Sequence, residues 1–519
     1  MKKTTKRLAF LLATWMLASL CVSCTATQTE KTDDEATKDN PQQQTTLPPD
    51  DPNTPDDDSN IPETLPLDEI TFHDRTQEER TVVVAYTEGT NGSFTRRSLK
   101  ADELGELDVD VATQVRDARL KEQFGLELEL ISTGGVASMR DFVKTSLASG
   151  KGDYDILAGY QYYAVSLAKD NYLLSLNDLK SQRANYIDLD GSYWANTYND
   201  NLSYKGNYYW ITGDLALRYL GGMYCTYVNA TTYNEKLAGQ YGSIYTIVKK
   251  GKWTVDLLTE MATKCYVDSG NTMGKADDAD CLGFGWESND TVDAMVLGMG
   301  AQFTSRDPAT GELTVTINQQ HTFDVVEKLK NLTQGGDCSY QYPDADSVTV
   351  MSAFANGEMA FTVNKLYHAD EFLWVLLDKE QDYYIVPVPK FDKAQESYIT
   401  PVHEGCTVFA IPYDSTKVAQ AAVALEFLCQ YSSENVAPLY FETALNCRYT
   451  RDPDAAAMID LMHSSVTVDF GVAWGNSVKD MGHFFRTLEN ASATTIGRRV
   501  TEWQKALDEL TMYLEPIKV

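Results

Sequence analysis

From residue 81 onward the chain alternates short β-branched runs with stretches of helical spacing, and this alternation restricts its fold more than any other feature. Thr81 to Tyr86 reads as a buried strand. Val109 to Phe124 has helical spacing and closes on Gly125, a C-cap residue. Leu126 to Ile131 reads as a second strand, and Val136 to Leu147 as a helix broken by Ser149-Gly150-Lys151-Gly152. Asp155 to Ala158 is a third strand, and Tyr162 to Lys169 starts another helix. Strands alternating with helices predict βαβ units, hence an α/β fold with a largely parallel sheet. In open sheets of this kind ligands bind beyond the carboxyl ends of the strands. Thr87-Glu88-Gly89 and Gly159 to Tyr163 occupy those places.

The middle of the chain repeats the alternation. Strands are expected at Met223 to Val228, Leu282 to Trp286, Phe361 to Val363, Tyr383 to Val388 and Thr407 to Ile411. Helices are expected at Thr254 to Lys264, with Thr254 as N-cap, at Thr322 to Leu332 and at Ala419 to Tyr431, before a mostly helical C-terminal stretch. No internal repeat is visible.

The N-terminus has a different character. Lys2, Lys3, Lys6 and Arg7 precede the uncharged apolar run Leu8 to Leu20, which is too short to cross a bilayer core of ~30 Å comfortably and has the length of a signal-peptide core. With Cys21-Val22-Ser23-Cys24 the segment resembles a bacterial lipoprotein signal, although Cys21 stands where Leu is usual. The resemblance implies removal of residues 1–23 and a lipid such as palmitate on Cys24, anchoring the protein at the outer face of the cell membrane. Ordinary cleavage and free secretion is the alternative. Residues 24–66 are rich in Asp, Glu, Thr, Gln and Pro and almost devoid of large apolar side chains, which predicts a disordered acidic tether ahead of a folded body at 67–519.

A net charge of −31 argues against a nucleic-acid partner. Of nine cysteines, Cys21 and Cys24 lie in the signal region, and the others (Cys225, Cys265, Cys281, Cys338, Cys406, Cys429 and Cys447) are widely spaced, so free buried thiols are expected rather than a disulfide framework. No CxxC, HExxH or GxxxxGK[ST] motif occurs, and neither a metal nor a cofactor is expected. Asp188-x-Asp190-Gly191 lacks the remaining ligands of a calcium loop and reads as a surface turn. The chain is rich in aromatics, with 30 Tyr and 8 Trp, clustered as in Tyr160-Gln161-Tyr162-Tyr163 and Tyr208-Tyr209-Trp210. Their apolar faces and polar rims suit sugars and peptides, and equally a protein core.

Several segments, in order, resemble extracellular solute-binding proteins of ABC importers, specifically the sugar-binding group that includes the maltodextrin-binding proteins. They are Gly152-Asp153-Tyr154-Asp155-Ile156-Leu157 continuing to Leu173-Leu174-Ser175-Leu176, then Tyr227-Val228-Asn229, Lys252-Trp253-Thr254, Ala353 to Phe361, Pro387-Val388-Pro389 and Gly405 to Pro412. Tyr154 stands where Pro is common in that group, and Asn171 where Gly is. The resemblance implies a type II two-lobed fold, each lobe a mostly parallel sheet flanked by helices. The first lobe would span about 80–218 and 362–408, and the second about 222–358 and 412–519. It implies closure of the lobes around a small solute, a sugar and specifically an oligosaccharide, and delivery to membrane permease subunits.

Position on the strand ends then nominates ligand contacts: Glu88 after the first strand; Tyr160, Gln161, Tyr162 and Tyr163 after the third; Trp286, Glu287 and Asp290 in the second lobe; Asn364 and Tyr367 after the Phe361 strand; Glu404 before the third crossing; and Trp474 from the tail. The chain is not expected to be an enzyme. A surface glycoside hydrolase would need two carboxylates roughly 5–10 Å apart across a sugar site, which linear sequence does not display. A carbohydrate sensor or adhesin on the same fold is the third alternative.

Overall fold

In a computed structural model, which describes residues 62–88, 93–101, 108–150, 152–270, 276–335, 337–343, 347–371, 382–444, 453–488 and 491–515, the alternation is realised as two main sheets. The expected signal peptide, Cys24, the tether up to residue 61 and Cys447 lie outside the described residues. Pro62 to Pro66, expected to belong to the tether, already lie on the body. The Asn185 side-chain amide donates to the carbonyls of Pro62 and Glu63, and Leu65 N–H donates to Asn185 O.

The chain runs through β1 (Thr81–Tyr86), α1 (Asp108–Phe124), β2 (Glu127–Ser132), α2 (Met139–Ser149) and β3 (Ile156–Tyr160). It continues through α3 (Leu217–Gly222), β4 (Tyr224–Asn229), α4 (Val255–Cys265), β5 (Leu282–Trp286) and α5 (Asp290–Gly298). A short hairpin, β6 (Thr304–Arg306) with β7 (Leu313–Val315), leads to α6 (Gln320–Gln334), β8 (Ser339–Gln341), α7 (Ser347–Ala355), β9 (Met359–Lys365) and β10 (Tyr383–Pro387). Last come β11 (Thr400–Pro401), β12 (Thr407–Ala410), α8 (Val418–Asn435), β13 (Val466–Thr467) and α9 (Ala493–Leu514).

The first sheet has the order β12-β3-β1-β2 and the second β10-β4-β9-β5-β8. Each is mostly parallel, as expected, and carries one reversed strand, β12 in the first sheet and β4 in the second. β1 runs parallel to β2 and β3, and β5 parallel to β8 and β9. β12 lies antiparallel to β3, and β4 antiparallel to β9 and β10. The reason is the route of the chain. β4 is the first strand of the second sheet after the chain leaves the first, and β12 is the first after it returns. Each enters at the carboxyl ends of its neighbours and so runs against them.

The same route moves the expected lobe boundaries. β9 and β10, assigned to the first lobe by the span 362–408, are hydrogen-bonded into the second sheet. α8, assigned to the second lobe, packs on α1 beside the first sheet, where Arg116 donates to Ser432 Oγ at 3.1 Å and Phe124 meets Phe427 edge-on.

Local chemistry accounts for the elements. Thr254 Oγ1 accepts the Leu257 N–H, so the expected N-cap of α4 is in place. α4 lies so close to β5 that a Cβ at Gly283 would sit 2.1 Å from Ala262 O. Gly357 takes φ +81° at the turn from α7 into β9, a conformation open to glycine at little cost. The helix expected from Tyr162 to Lys169 is instead one α-turn over Gln161–Ala164 followed by a 3-10 segment over Val165–Asp170.

Much of the tyrosine content is core. Tyr154, Tyr198, Tyr219, Tyr224, Tyr227, Tyr233, Tyr383 and Tyr440 are fully buried, as are Trp210, Trp253 and Trp503. Five of the six described cysteines are buried free thiols. Cys281, just before β5, is exposed, contrary to expectation. Among the described residues no helix is long and apolar enough to cross a membrane, and no group of side chains is placed to hold a metal ion.

Candidate functional site

Backbone pairing draws the carboxyl end of β3 to the segment that leads into β12. Gln161 N–H donates to Cys406 O and Tyr162 N–H to Glu404 O, both at 3.1 Å, which places Tyr160, Tyr162 and Tyr163 beside His403 and Glu404. From the second sheet, β4 begins with Tyr224, β5 leads into α5 with Asp290, and β9 ends in Lys365. These groups meet in one network. Asp290 accepts from Lys365 Nζ at 2.7 Å and from Tyr224 Oη at 2.8 Å, and His403 Nε2 stands 3.5 Å from its other side.

Burial pushes the Asp290 carboxyl up, but the Lys365 ammonium, aided by the Tyr224 hydroxyl, more than reverses it and holds it well below the usual carboxylate range. Burial works against the Lys365 charge too, and Asp290 outweighs it, so the ammonium is held above its ordinary value. His403 is pushed down to about 3 by burial and by Lys365, so the ring is neutral. Its Nδ1 accepts from Gly405 N–H at 2.9 Å, which leaves the proton on Nε2, facing Asp290.

A second ion-pair group adjoins the first. Arg486 donates to Asp293 from Nε at 2.9 Å and Nη2 at 2.5 Å, and to Glu404 at 3.3 Å. His483 also bonds Glu404 and stacks on the Tyr162 ring with centroids 5.0 Å apart, while Tyr162 Oη donates to Asp480. The tail segment 480–486 thus ties α5 of the second sheet to the strand-end turn of the first. Asp293 is pushed up to about 6 by burial, with Arg486 opposing.

On the other flank Arg218 donates from Nε to Gly405 O at 2.6 Å and lies over the Tyr160 ring at 5.4 Å. Lys365 lies over Tyr367 at 5.0 Å. Such cation–aromatic contacts fix the tyrosine faces.

Of the residues nominated from sequence, Tyr160, Tyr162, Tyr163, Asp290, Tyr367 and Glu404 fall within this cluster. Tyr163 packs on Tyr160 and Tyr162. Glu88 stands apart, exposed, accepting from Tyr86 Oη at 3.1 Å. Gln161 is buried, accepting from Tyr198 and the Cys406 thiol and donating to Ala473 O. Glu287 is buried and accepts from Asn289 and Thr291 N–H at the start of α5, and burial followed by Asp290 pushes its carboxyl up. Asn364 is buried, its Oδ1 accepting from Lys365 N–H. Trp286 is buried, and Trp474 is buried against Phe470 with Nε1 bonded to Leu202 O. Gln161, Glu287 and Trp474 are therefore used inside the protein, whereas Asn364 Nδ2 is buried with no acceptor among the described residues.

Sequence reasoning passed over Arg218, Tyr224, Asp293, Lys365, His403, Asp480, His483 and Arg486. Lys365 and His403 were within reach, since each is the chain neighbour of a nominated residue. The tail residues carried no signal, because their partners lie far away in sequence.

The family model described as bacterial extracellular solute-binding protein matches residues 116–444. No curated protein sequence matches the chain. Among solved structures, the galacto-N-biose/lacto-N-biose I-binding protein of the ABC transporter from Bifidobacterium longum, in complex with lacto-N-biose, is 13% identical, with 83% of this chain and 97% of that one covered and a TM-score of 0.52. UspC of Mycobacterium tuberculosis is 14% identical, with 82% and 100% covered and a TM-score of 0.52. UgpB of M. tuberculosis, in complex with glycerophosphocholine, is 15% identical, with 84% and 97% covered and a TM-score of 0.50. Likeness at these identities is likeness of fold: two lobes with a cleft between them.

Proposed function

The chain belongs to the bacterial extracellular solute-binding proteins, and from that membership we propose that it is the lipid-anchored substrate-binding component of an ABC importer, capturing a carbohydrate between two lobes and handing it to permease subunits. The observation that carries this reading is the meeting of strand ends from two sheets in a ring of tyrosines braced by ion pairs. Tyr160, Tyr163 and Tyr367 supply flat faces for the C–H surfaces of a sugar. Arg218 and Glu404, half-buried at the same place, suit its hydroxyls, and Glu88 at the end of β1 would meet the sugar only at the rim. The relative from B. longum, in complex with lacto-N-biose, supports an oligosaccharide.

Closure follows from the tail segment. Its bonds from Asp480, His483 and Arg486 to Tyr162 and Glu404 join the two sheets and exist only when these are close, so they favour the closed state together with the ligand. Sheet by sheet, the first lobe is built on β1, β2, β3 and β12, and the second on β4, β5, β8, β9 and β10. No catalytic step belongs to this reading. Against burial, Asp290 is held below the usual carboxylate range chiefly by Lys365, and Glu404 by His483 and Arg486. In this role Cys24 carries the lipid, and the acidic segment behind it spaces the body from the membrane while keeping it beside the permease.

A thermal-shift screen of the mature chain over sugars tests the carbohydrate assignment. A cognate oligosaccharide at about a hundred times its Kd adds about 2.7 kcal/mol of stability. Stabilisation by another solute class, with none from any sugar, overturns the assignment. Mass spectrometry of the mature N-terminus tests the anchor: a diacylglyceryl-modified Cys24 supports it, and an unmodified terminus refutes it.

A further inference from the structure

Beside the β11–β13 pair lies a cavity of about 460 Å³ whose lining includes none of the strand-end cluster. That volume falls in the range of roughly 300–1,000 Å³ typical of small-molecule sites. Leu297, Ile399, Val402 and Phe470 make an apolar wall, and Ser305 and Arg306 of the β6–β7 hairpin face it with polar groups.

Arg306 is the unusual member. Its Nη2 donates to Ser203 O at 2.6 Å and reaches the carbonyls of Asp200 and Asn201 at 3.5 Å. No carboxylate pairs with it among the described residues. Arg97, Arg140 and Arg486, by contrast, each pair with an aspartate at 2.5–2.7 Å. Asp200 is occupied by Tyr208 Oη, and Asp469, in the cavity wall, accepts from the N–H groups of Phe303, Thr304 and Gly471 and from the Thr304 hydroxyl. Among the described residues, Nη1 and Nε of Arg306 have no protein acceptor. Burial lowers the stability of its charge. A partly buried guanidinium gains most from a carboxylate, which it can bind through two parallel N–H groups.

We propose that this cavity is a second ligand site, for a small carboxylate on an apolar body. The acid group lies on Arg306, and the body lies against Leu297, Ile399, Val402 and Phe470. The inference is independent of what fills the strand-end cleft.

The test uses benzoate and hexanoate against benzamide and hexanamide, followed by thermal shift and by ligand-observed NMR on the purified mature chain. The acids should bind saturably at millimolar concentration or below, about tenfold or more tighter than their amides. Arg306→Gln should erase the preference, and Arg306→Lys should keep part of it. If Arg306→Gln fails to fold, Ser305→Trp replaces it: that side chain fills the cavity and keeps the guanidinium, and it should abolish binding of both acids. The proposal is overturned if neither acid binds, if acids and amides bind alike, or if binding survives both variants.

Discussion

Two buried carboxylate environments in this molecule differ in how the charge is compensated. In the strand-end cluster Asp290 and Glu404 are matched by Lys365 and Arg486, with histidines filling the gaps. Beside the first sheet, Glu426 on α8 has no cation partner among the described residues. It accepts from Tyr193 Oη, from Trp194 Nε1 at 3.0 Å and from Asp188 N–H at 3.1 Å. Burial, opposed by these neutral donors, pushes its carboxyl up to about 7. The cluster keeps its charges at a place where two lobes must recognise each other. The Glu426 site uses the acid as a polar hub that pins the turn at Asp188 to Trp194 onto α8, and it tolerates protonation.

Three perturbations should separate the two regimes. The largest effect is expected from Lys365→Met, which strands Asp290 as a buried, unpaired charge and should cost about 3–5 kcal/mol in chemical denaturation. Adding Asp290→Asn should recover most of that loss, and a purely additive double variant contradicts the pairing.

Next is the pH dependence at Glu426. A carboxyl whose folded pKa lies above its unfolded value contributes stability that is full below the unfolded value and is lost as pH rises through about 7. This term should cost on the order of 2–3 kcal/mol between pH 4.5 and pH 8. Glu426→Gln, which keeps the hub neutral, should flatten that part of the stability profile and be the more stable protein at pH 8. Asp290 and Glu404, held low, act with the opposite sign, and their contribution disappears only as pH falls below the ordinary carboxylate range.

The smallest effect is expected from Tyr162→Phe, which removes the bond to Asp480 but keeps the stack on His483. It should cost about 1 kcal/mol and speed dissociation of a bound ligand. An unchanged off-rate contradicts a role for the tail segment in closure.

The contrast between what sequence could and could not reveal has a physical basis. Strands built from continuous apolar runs were legible almost to the residue: Leu282–Trp286 is as expected, and β1 likewise. The β6–β7 hairpin was not, because three-residue strands carry no measurable period. The two reversed strands, β4 and β12, were also hidden, since apolar patterning is the same for parallel and antiparallel neighbours in a doubly covered sheet. At the site, position after a strand found Tyr160, Asp290 and Tyr367. It could not show that Asp290 meets Lys365, or that Arg486 from the tail reaches Glu404, because such pairs are set by tertiary packing alone. The same position rule nominated Gln161, whose side chain turns inward to Tyr198, Cys406 and Ala473, partners that no local pattern announces.

The central claim is that the two sheets close on a sugar held at their strand ends. Small-angle scattering from the mature chain, with and without an oligosaccharide that stabilises it, tests this most directly. The account predicts a saturable fall in radius of gyration on adding the sugar, weakened in Tyr162→Phe. Tight binding with no change in radius, in wild type and variant alike, would contradict it.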